Sequence, residues 1–121
     1  MPSKTVLIVD DSRVSRMMAR QYILILRGDW RIEEAATGEE ALDKAAALAP
    51  DLVLMDVNMP GMGGVAAAEL LRRRYPALKI SLLTANVQSA TRERAQALGI
   101  GFMEKPITEA RIGQLLALLE D

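Results

Sequence analysis

Short aliphatic segments alternate with Ala-, Leu-, Arg- and Glu-rich segments along this chain. Three aliphatic runs are nearly continuous, which is typical of strands buried on both faces of a parallel sheet: 5–9, 51–55 and 79–83. Weaker strands are predicted at 31–36 and 100–105. Helices are predicted in the remaining segments, with Gly and Pro near the joints: 13–27, 38–48, 64–74, 88–98 and 108–120.

The strand–helix order repeats five times, and this repetition predicts the fold class. It is typical of a doubly wound α/β domain, in which right-handed crossovers place helices on both faces of a five-stranded parallel sheet. The 121 residues suit one domain with one sizeable core, and no linker or low-complexity tract interrupts them. We therefore expect a single domain over residues 1–121.

Composition excludes several classes of function. The net charge of −1 gives no bulk positive charge for binding nucleic acid. The chain has neither Cys nor His, so disulfides, thiolate chemistry and imidazole-ligated metals are excluded. No signal peptide and no run long enough to cross a bilayer is present. We expect a cytoplasmic protein that contacts neither membrane nor nucleic acid directly.

Four of the five predicted strands are followed by a group that binds cations or oxyanions. Asp10 and Asp11 follow the first strand, Asp56 the third, Thr84 the fourth and Lys105 the fifth. Singly, each has an ordinary explanation, such as a helix cap at Asp11 or Ser12, or a turn at Asp56. Because the carboxyl ends of parallel strands share one edge, where ligands bind in such folds, we expect one common site.

Three carboxylates at one edge predict a cation. Two unit charges about 4 Å apart repel by roughly 4 kcal/mol at an effective dielectric of 20. Mg²⁺ or Mn²⁺ with oxygen ligands would offset this repulsion. Lys105 and Thr84 suit phosphoryl oxygens, yet no nucleotide-binding glycine loop is present. An aspartyl phosphate on Asp56 is therefore predicted.

These segments resemble the receiver domains of two-component response regulators over essentially the whole chain. The matching pieces are "VLIVDDS" at 6–12, "DLVLMDVNMPGM" at 51–62 with Gly64, "LLTA" at 82–85 and "KP" at 105–106. One departure is Gly63, where the family usually has Asp. The resemblance implies a flavodoxin-like sheet with strand order 2-1-3-4-5.

The resemblance also implies a role for each matching residue. Asp10, Asp11 and Asp56 would be metal ligands, with Asp56 also the phosphoacceptor. Asn58 would offer the metal its backbone carbonyl. Two catalytic residues, Thr84 and Lys105, would hold phosphoryl oxygens, and the Lys105–Pro106 bond would be cis.

By the same resemblance, the protein is a phosphorylation-controlled signalling switch that catalyses only its own phosphorylation and dephosphorylation. A histidine kinase or phosphotransfer domain would be the donor. Thr84 and the switch aromatic Phe102 would connect the site to an output face formed by helix four, strand five and helix five. This face would bind a protein target, a phosphatase or a second copy of the chain. The chain is then either a stand-alone, chemotaxis-type regulator, which its first residues favour, or a fragment of a longer protein.

Two other functions stay open at this point. A small Mg²⁺-dependent phosphohydrolase would share an Asp nucleophile and a Lys, but would carry a second acid where Val57 and Asn58 stand. A flavin-binding module would need a phosphate-cradling loop after the first strand, where this chain has acids.

Three helices have patterns that the motif does not explain. The first carries Arg13, Arg16, Arg20 and Arg27 on one face, which is either solvated or a docking surface for an acidic phosphodonor. The fourth has few large apolar residues, so weak attachment to the sheet is expected. The fifth has more leucines than one face can bury, so exposed apolar surface is expected there.

Overall fold

The protein is described by a computed structural model that covers residues 4–86 and 88–119. Ten elements follow in chain order: β1 Thr5–Val9, α1 Arg13–Leu26, β2 Arg31–Ala35, α2 Gly38–Leu48, β3 Leu52–Asp56, α3 Gly64–Arg74, β4 Lys79–Thr84, α4 Ser89–Leu98, β5 Gly101–Glu104 and α5 Glu109–Leu119. The strands form one parallel sheet in the order β2-β1-β3-β4-β5, which confirms the predicted fold class and strand order.

Two apolar cores sandwich the sheet. Along β1, Leu7 and Val9 face a core shared with α2, α3 and α4, whereas Val6 and Ile8 face a core shared with α1 and α5. All five residues of the central strand β3 are buried, as its continuous aliphatic run predicts. Because helices cover both faces of the sheet, polar side chains that bind a ligand must lie at an edge, and here they lie at the carboxyl edge.

The predicted element boundaries agree with the structure to within one residue. β3 lies one residue later than predicted, because Asp51 precedes the strand and its carboxylate accepts a hydrogen bond from the Thr5 amide at 2.8 Å. Asp56 is thereby the last residue of β3. Ser12 caps α1, its hydroxyl accepting from the Ser15 amide at 3.3 Å. The cap leaves Asp11 available for other chemistry.

The helices differ in how firmly the core holds them. Ala95 is the one residue of α4 that is buried, which agrees with the predicted weak attachment. In α5, Ile112 and Leu116 are buried and Leu115 is half-buried. The side chains of Leu118 and Leu119 lie outside the described residues, so the predicted apolar surplus of α5 stays a prediction. Among the residues that the structure describes, no helix is long and apolar enough to cross a membrane.

Candidate functional site

The carboxylates of Asp10, Asp11 and Asp56 meet at the carboxyl edge of β1 and β3. One oxygen from each lies within 4.8 Å of the others. Asp10 and Asp56 are buried, at 2% and 5% exposure, whereas Asp11 is exposed. The neighbouring positions of β1 and β3 bring the carboxylates together, as the strand-end argument predicts. All-oxygen ligands with one open side fit a Mg²⁺-type cation that keeps several waters.

Lys105 closes the cluster from the β5 side. Its ammonium donates to Asp10 Oδ2 at 2.9 Å and lies 3.4 Å from Asp56 Oδ1. Burial by itself would lower the pKa of the Lys105 ammonium, but the hydrogen bond and charge of Asp10, together with Asp56, outweigh burial and raise this pKa. Lys105 is therefore a firmly charged cation at neutral pH. The Lys105–Pro106 peptide bond is cis, as the resemblance implies.

The surroundings of Asp56 destabilise its ionised form. Its pKa is raised, first by burial and then by the charge of Asp10, while Lys105 and the Asn58 backbone amide lower it in part. A folded-state pKa above the unfolded value means that the fold loses stability as pH rises through it. Ionised Asp56 thus costs the metal-free fold free energy, which a bound cation would offset.

A close backbone contact aligns Asp56 with the start of α3. The Gly64 amide donates to the Val57 carbonyl at 3.2 Å, and a Cβ at Gly64 would lie 1.9 Å from the Asp56 carbonyl oxygen. Any side chain at Gly64 would therefore push the helix away from the end of β3. Two further glycines of the connecting loop, Gly61 and Gly63, have positive φ angles of 79° and 78°, which glycine adopts at no steric cost.

Thr84 is the last residue of β4, and Phe102 lies in the neighbouring strand β5. The Thr84 hydroxyl donates to the Asn86 carbonyl at 2.9 Å and accepts from the Asn86 amide at 3.1 Å. These two bonds hold the hydroxyl on the loop that follows β4. The half-buried ring of Phe102 stacks against Arg92 of α4, with the guanidinium carbon 5.6 Å from the ring centroid.

Two features of α1 escaped sequence reasoning. Arg16 has a side chain only 16% exposed, and both Arg16 and Arg20 pair with Glu34 of β2, so the interpretation of a solvated arginine face is wrong for Arg16. The large apolar side chains that are exposed in the described part of the chain all belong to α1: Val14, Met17, Met18, Leu24 and Ile25. Their spacings of three, four and seven residues, which place them on one side of a helix, were the available signal.

Comparison with known proteins identifies the family. Residues 6–117 match the family profile of the response regulator receiver domain. This chain belongs to that family. Membership makes the domain a phosphorylation-controlled signalling switch and does not favour a small phosphohydrolase. Receiver domains bind Mg²⁺ at an acidic pocket, and the cluster of Asp10, Asp11 and Asp56 matches such a pocket.

Individual relatives agree with this assignment. The receiver is 36% identical over 115 residues to the chemotaxis protein CheY of Thermotoga maritima, covering 93% of this chain and 94% of that protein. It is equally identical to the response regulator GacA of Pseudomonas viridiflava over 94% of this chain, but spans only 54% of GacA. The solved chemotaxis protein CheY4 of Vibrio cholerae superposes with a TM-score of 0.86 at 29% identity, covering 98% of this chain and 99% of that one.

Proposed function

We propose that Asp56 of this receiver accepts a phosphoryl group from a histidine kinase or phosphotransfer domain in a reaction that requires Mg²⁺ or Mn²⁺. One observation carries the proposal: the Asp56 carboxylate lies within 4.8 Å of two further carboxylates and 3.4 Å from an ammonium. The carboxylates can hold a cation, and the ammonium can contact an oxygen of the incoming phosphoryl group. Asp10 and Asp11 would hold the cation with Asp56 and the Asn58 carbonyl.

The chemistry follows from the groups around Asp56. A carboxylate oxygen of Asp56 forms a bond to phosphorus while the bond from phosphorus to the donor nitrogen breaks, and the imidazole of the donor leaves. Lys105 leaves Asp56 to hold one phosphoryl oxygen, and Thr84 donates to another. A cation bound to the acidic cluster would neutralise charge on the phosphoryl oxygens. Attack by water then releases inorganic phosphate and returns the free carboxylate. In this proposal the domain catalyses only its own phosphorylation and dephosphorylation.

The signal is proposed to leave through α4, β5 and α5. If Thr84 turns towards the phosphoryl group, it releases Asn86 and vacates space beneath α4 that the Phe102 ring can fill. Inward movement of the ring breaks its stacking on Arg92. Because Ala95 is the buried anchor of α4, a free-energy difference of a few kcal/mol is enough to shift the positions of this helix.

Beryllofluoride, a phosphoryl mimic, tests this switch in the full chain. With Mg²⁺ present, we expect amide chemical-shift changes at Asp10, Asp11 and Asp56 and throughout α4 and β5. Without Mg²⁺, or in Asp11→Asn with Mg²⁺, both groups of changes should disappear. Changes confined to the three aspartates, with residues 88–119 unaffected, would show that the signal leaves by another route.

The apolar stripe of α1, defined by Val14, Met17, Met18, Leu24 and Ile25, is proposed as the docking surface for the phosphodonor. Its exposed fractions range from 41% to 65%. At the end near the site, Met18 lines a cavity of about 370 Å³ together with Lys105 and Pro106. A donor helix lying along the stripe would thus reach the acidic cluster. Docking of an acidic phosphodonor on the exposed Arg13 and Arg20 of the same helix stays a prediction.

Ile25→Glu tests the docking surface. Ile25 lies roughly 16 Å along the helix from Val14, so the change leaves the reacting groups alone. With a phosphotransfer domain that phosphorylates this chain, we expect transfer to slow at least about tenfold, while the rate with the small donor acetyl phosphate stays unchanged. Ala47→Glu, on the exposed side of α2, is the matched control. Equal transfer rates in the two variants would place the donor elsewhere.

The remaining expectations concern the wider context and belong to the same proposal. The output face is proposed to bind a protein target or a phosphatase, and a homodimer through α4 and α5 is the alternative use of that face. A cytoplasmic location and a chemotaxis-type role agree with the likeness to CheY. The chain spans about half of GacA, so the proposal extends to the type of regulator and not to a named pathway.

A further inference from the structure

Arg16 of α1 connects three elements behind the acidic cluster. Its Nη1 donates to the backbone carbonyl of Asp10 at 2.7 Å, and its Nε donates to Glu34 Oε1 at 2.9 Å. Glu34 lies in β2, and its Oε2 also forms an ion pair with Arg20 Nη1 at 3.2 Å. The guanidinium is thus held by Glu34 with one of its N–H groups directed at the end of β1. A planar donor fork performs this double contact better than any other side chain.

Four polar groups of Asp10 form hydrogen bonds, and its backbone carbonyl is one of them. The Asp10 amide donates to the Ala35 carbonyl at 3.1 Å, Oδ1 accepts from the Ser12 amide at 2.9 Å, and Oδ2 accepts from Lys105. During phosphoryl transfer, Lys105 turns to the phosphoryl group. Arg16 then provides one of the three remaining restraints on Asp10, and the only one from a side chain outside the β1–α1 turn among the contacts described for this residue.

We infer that Arg16 is a positioning residue for the cation site, acting through the Asp10 carbonyl and not by touching the reacting groups. The inference rests on the proposed function, since it presumes that Asp10 and Asp11 hold a cation. Asp11 directly follows the clamped carbonyl, so any movement of Asp10 displaces both carboxylates together. Side chains that orient ligating carboxylates typically contribute about 10- to 100-fold to metal affinity.

The sign of the effect separates positioning from plain electrostatics. Arg16 is a cation close to a cation site, so its charge by itself opposes metal binding. Removing that charge would tighten metal binding if charge were its whole contribution. Removing a clamp would weaken metal binding. The two explanations therefore predict opposite changes in the same measured dissociation constant.

The experiment measures Mn²⁺ binding to the full chain from the electron paramagnetic resonance signal of free Mn²⁺. We expect Arg16→Met, which keeps the aliphatic stem, to bind Mn²⁺ about tenfold more weakly than wild type. Arg16→Lys should recover only part of this loss, since an ammonium cannot serve Glu34 and the carbonyl in the same geometry. Arg20→Met is the matched control: it also loses a Glu34 partner on the same helix, yet makes no described contact with Asp10.

Each outcome decides the inference. Arg16→Met that binds Mn²⁺ as tightly as wild type, or more tightly, overturns it, as does an equal loss in Arg20→Met. Wild type that binds no Mn²⁺ would instead overturn the proposed function. If Arg16→Met does not fold in a metal-free melting experiment, Glu34→Gln against Glu33→Gln carries the test. Both remove one paired carboxylate from β2, but only Glu34 holds Arg16, so equal affinities in that pair would also overturn the inference.

Discussion

Incubation with acetyl phosphate and Mg²⁺ will add one phosphoryl group to the chain, and Asp56→Asn will stay unmodified. Asp56 is the carboxylate whose pKa burial and Asp10 raise, and it lies 3.4 Å from Lys105. Burial strips solvent from its oxygens, which favours attack on phosphorus once Lys105 and a cation keep it ionised. Intact-protein mass spectrometry of both proteins measures the gain directly.

Asp43→Asn is the control for this experiment. Asp43 is an exposed residue of α2, so its loss should leave the mass gain unchanged. Leaving out Mg²⁺ should suppress the gain in every variant. A phosphoryl group that peptide mapping places on Ser, Thr or another Asp would contradict the assignment of Asp56.

Lys105→Ala will have the second large effect, on both rate and stability. Loss of one donor to a developing oxyanion typically slows a reaction about 10²- to 10³-fold, so phosphorylation by acetyl phosphate should fall by that order. Without metal, the variant also leaves the carboxylates of Asp10 and Asp56 buried with no cation between them. Breaking a buried pair in this way costs about 3 kcal/mol or more of unfolding free energy.

Thermal melting with and without Mg²⁺ separates these two effects. A bound cation takes over part of the charge that Lys105 balanced, so Mg²⁺ should raise the melting temperature of Lys105→Ala by more than that of wild type. Lys79→Ala, at the opposite end of the sheet, serves as the matched lysine control. If Lys105→Ala keeps the wild-type melting temperature and phosphorylation rate, the role assigned to Lys105 is wrong.

Much of the fold was predictable because its signals are local. A strand buried on both faces has no polar positions, and β3, with five buried residues, shows that pattern without interruption. The start of β3 lies one residue later than predicted, at the point where the Asp51 carboxylate accepts a hydrogen bond from the Thr5 amide, 46 positions away in the chain. Sequence patterns do not report such distant hydrogen bonds.

The candidate site was predictable to the same depth. Parallel strands end at one edge, so the meeting of Asp10, Asp11, Asp56 and Lys105 followed from their positions after strands. The function of Arg16 did not follow, because four arginines on one helix face look alike until β2 supplies Glu34 as a partner. The exposed stripe of α1 had a signal in its spacing, but its apolar residues mix along the chain with core positions such as Ala19 and Ile23.

The sequence by itself determined the class of fold, the family, and the residue types available for chemistry, because these depend on periodicity, on order along the chain and on composition. Only the tertiary structure decided which charges pair, which arginine reaches the Asp10 carbonyl, how the Thr84 hydroxyl is engaged, and which apolar residues remain outside the core. Those outcomes depend on distances of a few ångströms between side chains from different elements. Such distances are set by how the helices pack on the sheet, which no local pattern encodes.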